Sequence, residues 1–228
     1  MNAILLAAGL GTRLRPLTEN IPKCLVPIKG KLLLEIWIER LIRIDIQRIL
    51  VNTHYLSEKV NDFVNANKAF KNVTLTHEEK LLGTAGTLNK NLEFYGDADG
   101  ILMHADNYCE EDLSGLVRAH KLRPKNCVIT MLVFRAKNPS ECGIVELDKY
   151  GIVKKFYEKK LNPPGNLASG AIFILSKEFI SEYKKIYNGQ FDFSKEIVPL
   201  YIGRIYTYEV NGSFLDIGNP EAYLSVNE

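Results

Sequence analysis

Two arginines and a lysine follow the first apolar segment, in Ala7-Ala8-Gly9-Leu10-Gly11-Thr12-Arg13-Leu14-Arg15 and then Pro22-Lys23. Successive backbone N–H groups in a glycine turn, with fixed cations beside them, make a cradle for phosphate oxygens. Two better-known phosphate loops do not fit. The G-x-G-x-x-G pattern lacks its third glycine, because Leu14 stands there, and no acidic residue follows convincingly about 20 positions on. Gly-Lys-Ser/Thr is absent here too. A plain turn from strand to helix explains the glycines but not the clustered Arg13, Arg15 and Lys23. On residue types alone, the loop is either such a turn or a triphosphate cradle.

The elements that must position this loop alternate. Asn2 to Ala8 is short and continuously apolar, as a buried strand is. Lys31 to Ile44 has helical apolar spacing, "RILVNTH" is a second buried strand, and Leu56 to Asn67 is a second helix. "NVTLTHEE", a helix from Gly83 to Asn91, "GILMHAD" and a helix from Asp112 to Lys121 continue the rhythm. Such βαβα alternation implies parallel strands with helices on both faces. Ligands of such sheets bind at the carboxyl ends of the strands, where Gly9 to Arg13, Glu78 to Gly86 and Asp106 all fall. After residue 125 the strands "NCVITMLVF", "CGIVELD", "GIVKKFYEKK", "ASGAIFIL" and "RIYTYEV" have little helix between them. Asp148 to Gly151 reads as a hairpin turn, and Asn219-Pro220-Glu221 begins a last helix. With 228 residues and no linker or repeat, the expectation is one domain, residues 1–228. Its half 1–125 binds a nucleotide, and its half 126–228 covers the mouth.

Composition excludes several classes. A net charge of +2 gives no field for nucleic acid or a membrane surface. No apolar run approaches the roughly 20 residues of a membrane span, and the N-terminus lacks a basic leader region. Cys24, Cys109, Cys127 and Cys142 show no CxxC spacing, which favours a reduced, cytoplasmic setting over disulfides or zinc.

The motifs together settle the choice left open by the loop. "LLAAGLGTRLRPLTENIPKCLVPI" resembles the signature of the sugar-1-phosphate nucleotidyltransferases, and the rest of the chain follows in that family's order. "EEKLLGTAGTL" is similar to its base-recognition loop, with Leu81 where proline is common. "LMHADNY" is similar to its metal aspartate, with Ala105 for the usual glycine. "GIVELDKYGIVKKFYEK" and "LASGAIFI" resemble its sugar-phosphate strands. "FLDIGNPEAY" resembles its ending, with Phe214 and Asn219 as departures. The resemblance implies a Rossmann-like, GT-A type α/β fold with a mixed central sheet and a small β-rich sugar-binding lid. It also implies Mg²⁺ dependence and release of pyrophosphate.

Carried over residue by residue, it places Leu6, Ala8, Gly9, Gly11, Thr12, Arg13, Lys23, Glu78, Gly83, Thr84 and Asp106 at a nucleoside triphosphate. Gly143, Glu158, Lys159, Asn166 and Gly170 meet a sugar 1-phosphate, and Asp106 and Asp216 hold Mg²⁺. The chemistry asks for the same residue types. A phosphate oxygen attacks the α-phosphorus of the triphosphate while pyrophosphate leaves in line, so catalysis is mainly positioning and neutralisation of charge. Mg²⁺ takes carboxylate and phosphate oxygens. Arg13 would carry charge on the β and γ phosphates, and Lys23 on the α-phosphoryl group.

Glu78 or Glu79 stands where the family reads the base. A carboxylate only accepts. It therefore matches the adjacent N1–H and N2–H₂ of guanine, leaves cytosine as a second choice, and faces carbonyl oxygens on uracil and thymine. With guanine, the resemblance implies a guanylyltransferase for a mannose- or heptose-type sugar 1-phosphate. The alternatives are transfer from another base, or a cytidylyltransferase for a non-sugar phosphate such as phosphocholine. The expected partners are the two substrates, no nucleic acid and no membrane, with a homodimer left open. His54, His77, His104 and His120 have no metal-ligand spacing and read as core or surface residues.

Overall fold

Alternation of apolar side chains along β1 (Asn2–Leu6) places Ala3 and Leu5 in one buried layer and Ile4 in another, as the two-residue period of a strand requires. This first strand is central to a nine-stranded mixed sheet. The computed structural model describes residues 1–227. After β1 come the short ribbon β2 (Pro27–Ile28) and β3 (Lys31–Leu32), then α1 (Leu33–Arg43), β4 (Arg48–Thr53), α2 (Ser57–Ala66), β5 (Val73–His77), α3 (Gly83–Lys90) and β6 (Gly100–His104). β1 pairs in parallel with β4 and β6, and β4 with β5. The parallel part expected from the alternation is therefore present.

The second part runs β7 (Asn107–Cys109), α4 (Ser114–Leu122), β8 (Ile129–Arg135), β9 (Gly143–Leu147), β10 (Val153–Glu158), β11 (Leu167–Leu175), α5 (Lys177–Ile186), β12 (Ile205–Glu209), β13 (Phe214–Asp216) and α6 (Pro220–Asn227). β11 joins the two parts. Its downstream residues pair antiparallel with β6, and Ala168 pairs with Ile144 of β9 on the same edge. β8 runs along the other edge and carries β12 in turn. The expected hairpin at Asp148 to Gly151 links β9 to β10, with the Gly151 N–H donating to the Asp148 carbonyl.

Two elements depart from the sequence reading. α5 lies where little helix was expected. Ser176 caps it by accepting from the Phe179 N–H, and Phe179, Ile180 and Tyr183 bury one face. The aromatic stretch after it includes one π-helical turn, Phe193–Ile197, anchored by buried Phe193 and Ile197. Trp37, expected in the core, is fully buried on α1, and its Nε1–H donates to the Asn107 carbonyl at 2.7 Å. Among the described residues no helix is long and apolar enough to cross a membrane.

His120 gives the fold a pH dependence. Its Nδ1 is paired with Thr130 Oγ1 at 2.7 Å, and its Nε2 lies 3.3 Å from Asp99. Burial holds its pKa below the ordinary value, outweighing the opposing pull of Asp99. Below about pH 6.5 the unfolded chain therefore binds a proton that the folded chain refuses, and stability falls with pH by up to ~1.4 kcal/mol per unit. Above that pH the contribution is flat. Denaturant unfolding between pH 7.5 and 5.5 should show this slope, and His120→Asn should flatten it. An unchanged slope would remove His120 as its source.

Candidate active site

The loop after β1 carries two glycines, and much of its backbone is unpaired. The Ala7 N–H donates to Asn52 Oδ1. Among the described residues no protein acceptor takes the N–H groups of Ala8, Gly9, Leu10 or Gly11. Gly11 has φ +63°, and a Cβ there would press on Thr18 and on Lys23 Cβ at 3.1–3.2 Å. The short helical turn Thr12–Leu14 follows, with Leu14 buried and Thr12 and Arg13 facing solvent. Leu6 and Ala8 lie beneath as floor, the Leu6 carbonyl accepting from the Ala105 N–H.

Pairing places the two aspartates together. The three-residue strands β7 and β13 set Asp216 opposite Asn107, next to Asp106, and the Ile217 N–H donates to the Asp106 carbonyl. Lys23 Nζ lies between them, 2.7 Å from Asp106 Oδ2 and 3.5 Å from Asp216 Oδ1. The lysine side chain is 9% exposed, against 31% and 57% for the aspartates. Burial opposes ionisation of both Lys23 and Asp106. Their mutual attraction, reinforced by Asp216 for the lysine and His104 for the aspartate, outweighs it. It raises the lysine pKa and lowers that of the aspartate. The pair is charged at neutral pH. Gly218 leaves room beside Asp216 for the Arg13 guanidinium: a Cβ there would come 3.2 Å from Asp216 Oδ2 and 3.4 Å from Arg13 Nη2.

Across a cleft of about 270 Å³ stand Glu158 and Lys159, facing Arg13, His104, Asp106 and Asp216. Glu158 pairs with Gly143 in register, and a Cβ on Gly143 would strike Glu158 Oε2 at 2.7 Å. Burial raises the Glu158 pKa. Lys159 has φ +48°, and its N–H donates to the Cys142 carbonyl. A larger cavity of about 520 Å³ adjoins this cleft and shares Arg13, Phe214 and Asp216 with it. The smaller cleft is the one that holds both Asp106 and Asp216 together with Glu158 and Lys159.

Four expectations change. Glu78 is 1% exposed and its carboxylate is committed. Oε1 accepts from Asn52 Nδ2 and Thr87 Oγ1, and Oε2 from the Leu82 N–H. It braces the start of α3 from behind and offers no free edge to a base, while Glu79 is exposed. Thr84 Oγ1 accepts from the Phe193 N–H at 2.7 Å, so it is tied to the protein. Asn166 lies outside the cleft, because its side-chain and backbone oxygens accept from Arg135 and the Ala136 N–H. Gly170 lies under the cleft floor. Its carbonyl accepts from Asn107, and a Cβ would meet Phe214 and Leu132 within 3 Å. Its neighbours Ser169 and Ala171 line the cleft instead.

His104 was missed. It ends β6 beside the cleft, with Nδ1 3.8 Å from Asp106 Oδ1. A lone histidine carries no spacing signal, but its place at a strand's carboxyl end did mark it.

Glu78→Gln puts an N–H₂ group among three donors. It should raise KM for GTP, CTP and UTP alike, because it loosens the loop rather than altering a base contact. A loss confined to GTP would return base reading to Glu78.

An open nest of N–H groups, fixed cations and two converging carboxylates lie at the carboxyl ends of parallel strands, an arrangement able to bind phosphates and a divalent cation. The chain belongs to the nucleotidyl transferase family, whose model matches residues 2–228. It is 30% identical to a Sulfolobus acidocaldarius protein provisionally named a mannose-1-phosphate guanyltransferase, over 100% of this chain and 62% of that protein. The chain thus spans less than two thirds of that relative. It resembles the crystal structure of HddC from Yersinia pseudotuberculosis complexed with GMP-PN, with TM-score 0.81 and 25% identity over 99% of this chain and 97% of that one. A provisionally assigned glucose-1-phosphate thymidylyltransferase from Bacillus anthracis, in complex with a sucrose, shares the fold. Its TM-score is 0.87 at 21% identity, over 100% of this chain and 94% of that one.

Proposed function

We propose that this chain joins a nucleoside triphosphate, GTP first, to a sugar 1-phosphate of mannose or heptose type, and releases pyrophosphate. One observation carries the reading: Arg13, Asp106 and Asp216 line one cleft with Glu158 and Lys159, and Lys23 bridges the two aspartates. The unpaired N–H groups of Ala8 to Gly11 and the Arg13 guanidinium hold the β and γ phosphates. Lys159 holds the acceptor phosphate. Glu158 takes hydrogen bonds from sugar hydroxyls, and Gly143 leaves it the space to do so. The acceptor's phosphate oxygen forms a bond to the α-phosphorus as the bond from that phosphorus to the pyrophosphate oxygen breaks. Lys23 then balances charge on the α-phosphoryl group.

The residues fit Mg²⁺. Among the described residues no three His, Cys, Asp or Glu side chains form a metal cluster. Mg²⁺, however, is commonly held by one or two carboxylates, substrate phosphates and waters. Asp106 and Asp216, already converging on a cation, supply the two. When bound, Mg²⁺ would neutralise phosphate charge and align the leaving group.

The lean to guanine rests on the mannose-1-phosphate guanyltransferase relative and on the GMP-PN complex of HddC, since Glu78 does not carry it. A pyrophosphate-release panel tests the whole reading, with GTP, CTP, UTP and dTTP each tried against mannose, glucose and heptose 1-phosphates. GTP with a mannose- or heptose-type acceptor should give the highest kcat/KM. A first-ranked UTP or dTTP would overturn the base, and no release from any pair would overturn the reaction.

A further inference from the structure

The first turn of α3 is fastened to a segment more than a hundred residues away. Gly83 has φ +73°, and a Cβ there would lie 2.2 Å from the Phe191 carbonyl oxygen. The Ala85 N–H donates to that same oxygen at 3.0 Å, and the Phe193 N–H donates to Thr84 Oγ1 at 2.7 Å. Tyr183 adds a hydrogen bond from its hydroxyl to the Ala85 carbonyl. Three consecutive residues of the expected base loop are thus used to grip Phe191 to Phe193.

That segment is stiff. Glu196 Oε2 accepts from the N–H groups of Phe191 and Asp192, and Asp192 Oδ1 accepts from the Lys195 N–H. Phe193 and Ile197 anchor its π-helical turn in the core, and such turns recur at functional sites. Ser194, the residue after the one Thr84 holds, lines the cleft with Glu158 and Lys159. A shift of α3's first turn is therefore passed to the acceptor side of the cleft over one residue.

We propose that Thr84 is a positioning residue for the sugar-phosphate subsite: through Phe193 it sets Ser194 against Glu158 and Lys159, rather than contacting the nucleotide itself. This rests on the reading that the cleft takes a sugar phosphate. It also gives the hydroxyl a reason to be there, because a buried N–H must find an acceptor.

Thr84→Val keeps the shape and removes the acceptor, and Thr84→Ser restores it. Thr84→Val should raise KM for mannose 1-phosphate about tenfold, the loss expected when one buried hydrogen bond is broken. Binding of a non-hydrolysable GTP analogue, measured by calorimetry, should stay within about twofold, and Thr84→Ser should recover the acceptor KM. Weaker analogue binding with an unchanged acceptor KM would overturn the proposal, as would failure of Thr84→Ser to rescue. Hydrogen exchange reads the link without substrate. The Phe193 amide should be protected in the wild type and in Thr84→Ser, and exposed in Thr84→Val. Equal exchange in all three would also overturn it, while leaving the transferase reading intact. That reading falls separately, if no acceptor supports pyrophosphate release.

Discussion

Asp106→Asn and Asp216→Asn are each expected to lower Mg²⁺-dependent pyrophosphate release by about 10³-fold or more, with the fold retained. Metal-assisted charge stabilisation supplies several kcal/mol to such a reaction, and each 1.36 kcal/mol is tenfold in rate. An amide keeps the shape of the carboxylate but not its charge. Both side chains reach solvent, so neither substitution opens the core. The two variants should differ in stability. Asp106 is the nearer partner of buried Lys23, and losing its charge leaves the ammonium leaning on Asp216 alone, so Asp106→Asn should melt lower. Initial rates with thermal unfolding on the same samples check this. Release near the wild-type rate by either variant would remove that residue from the metal site.

Lys23→Met should lower kcat about 10²-fold while changing the affinity for a non-hydrolysable GTP analogue much less. The reason is where the charge is needed. A cation poised at the α-phosphoryl group acts on negative charge that grows in the transition state, so its loss is felt in kcat. The structure adds a second consequence. The ammonium sits between Asp106 and Asp216 and offsets one of their two negative charges. Removing it leaves two facing carboxylates, so Mn²⁺ titrated into the nucleotide-free protein should bind more tightly to Lys23→Met than to wild type. A change confined to KM would reduce Lys23 to a nucleotide tether. Equal Mn²⁺ affinity would show that the aspartates do not share one cation.

Much of this was legible because it is local. A short apolar strand, a glycine turn and the arginine after it are neighbours in the chain, and their order survives folding. The βαβα rhythm of the first half likewise follows from periodicity. What was missed depended on partners distant in sequence. Glu78 looks the same in sequence whether it faces a base or accepts from Asn52, Thr87 and Leu82; pairing of β4 with β5 and the packing of α3 decide which. The meeting of Asp106 with Asp216 was expected only through resemblance, because strands of three residues have no period to read. α5 was different: its Ser176 cap and its apolar Phe179, Ile180 and Tyr183 are legible in the sequence as a helix signal. The π-helical turn at Phe193 repeats at no spacing that a helix or strand template tests.

β11 has a bearing on how the proposed substrate site can change. One continuous strand carries Ser169 and Ala171 on the cleft floor and, a residue later, pairs Ile172 with Met103 on the way to His104 and Asp106. Its register jumps between Ser169 and Phe173, with Ala171 at φ +51°. Acceptor floor and carboxylate are two marks on one ruler. A single-residue slip would move one against the other by about 3.4 Å, the rise of a strand, which is as large as the whole separation of atoms about to react. Lengthening or shortening this strand would therefore put donor and acceptor out of reach. Under the proposed function, a new sugar would have to be accommodated by exchanging side chains and remodelling rim loops, with the ruler left uncut.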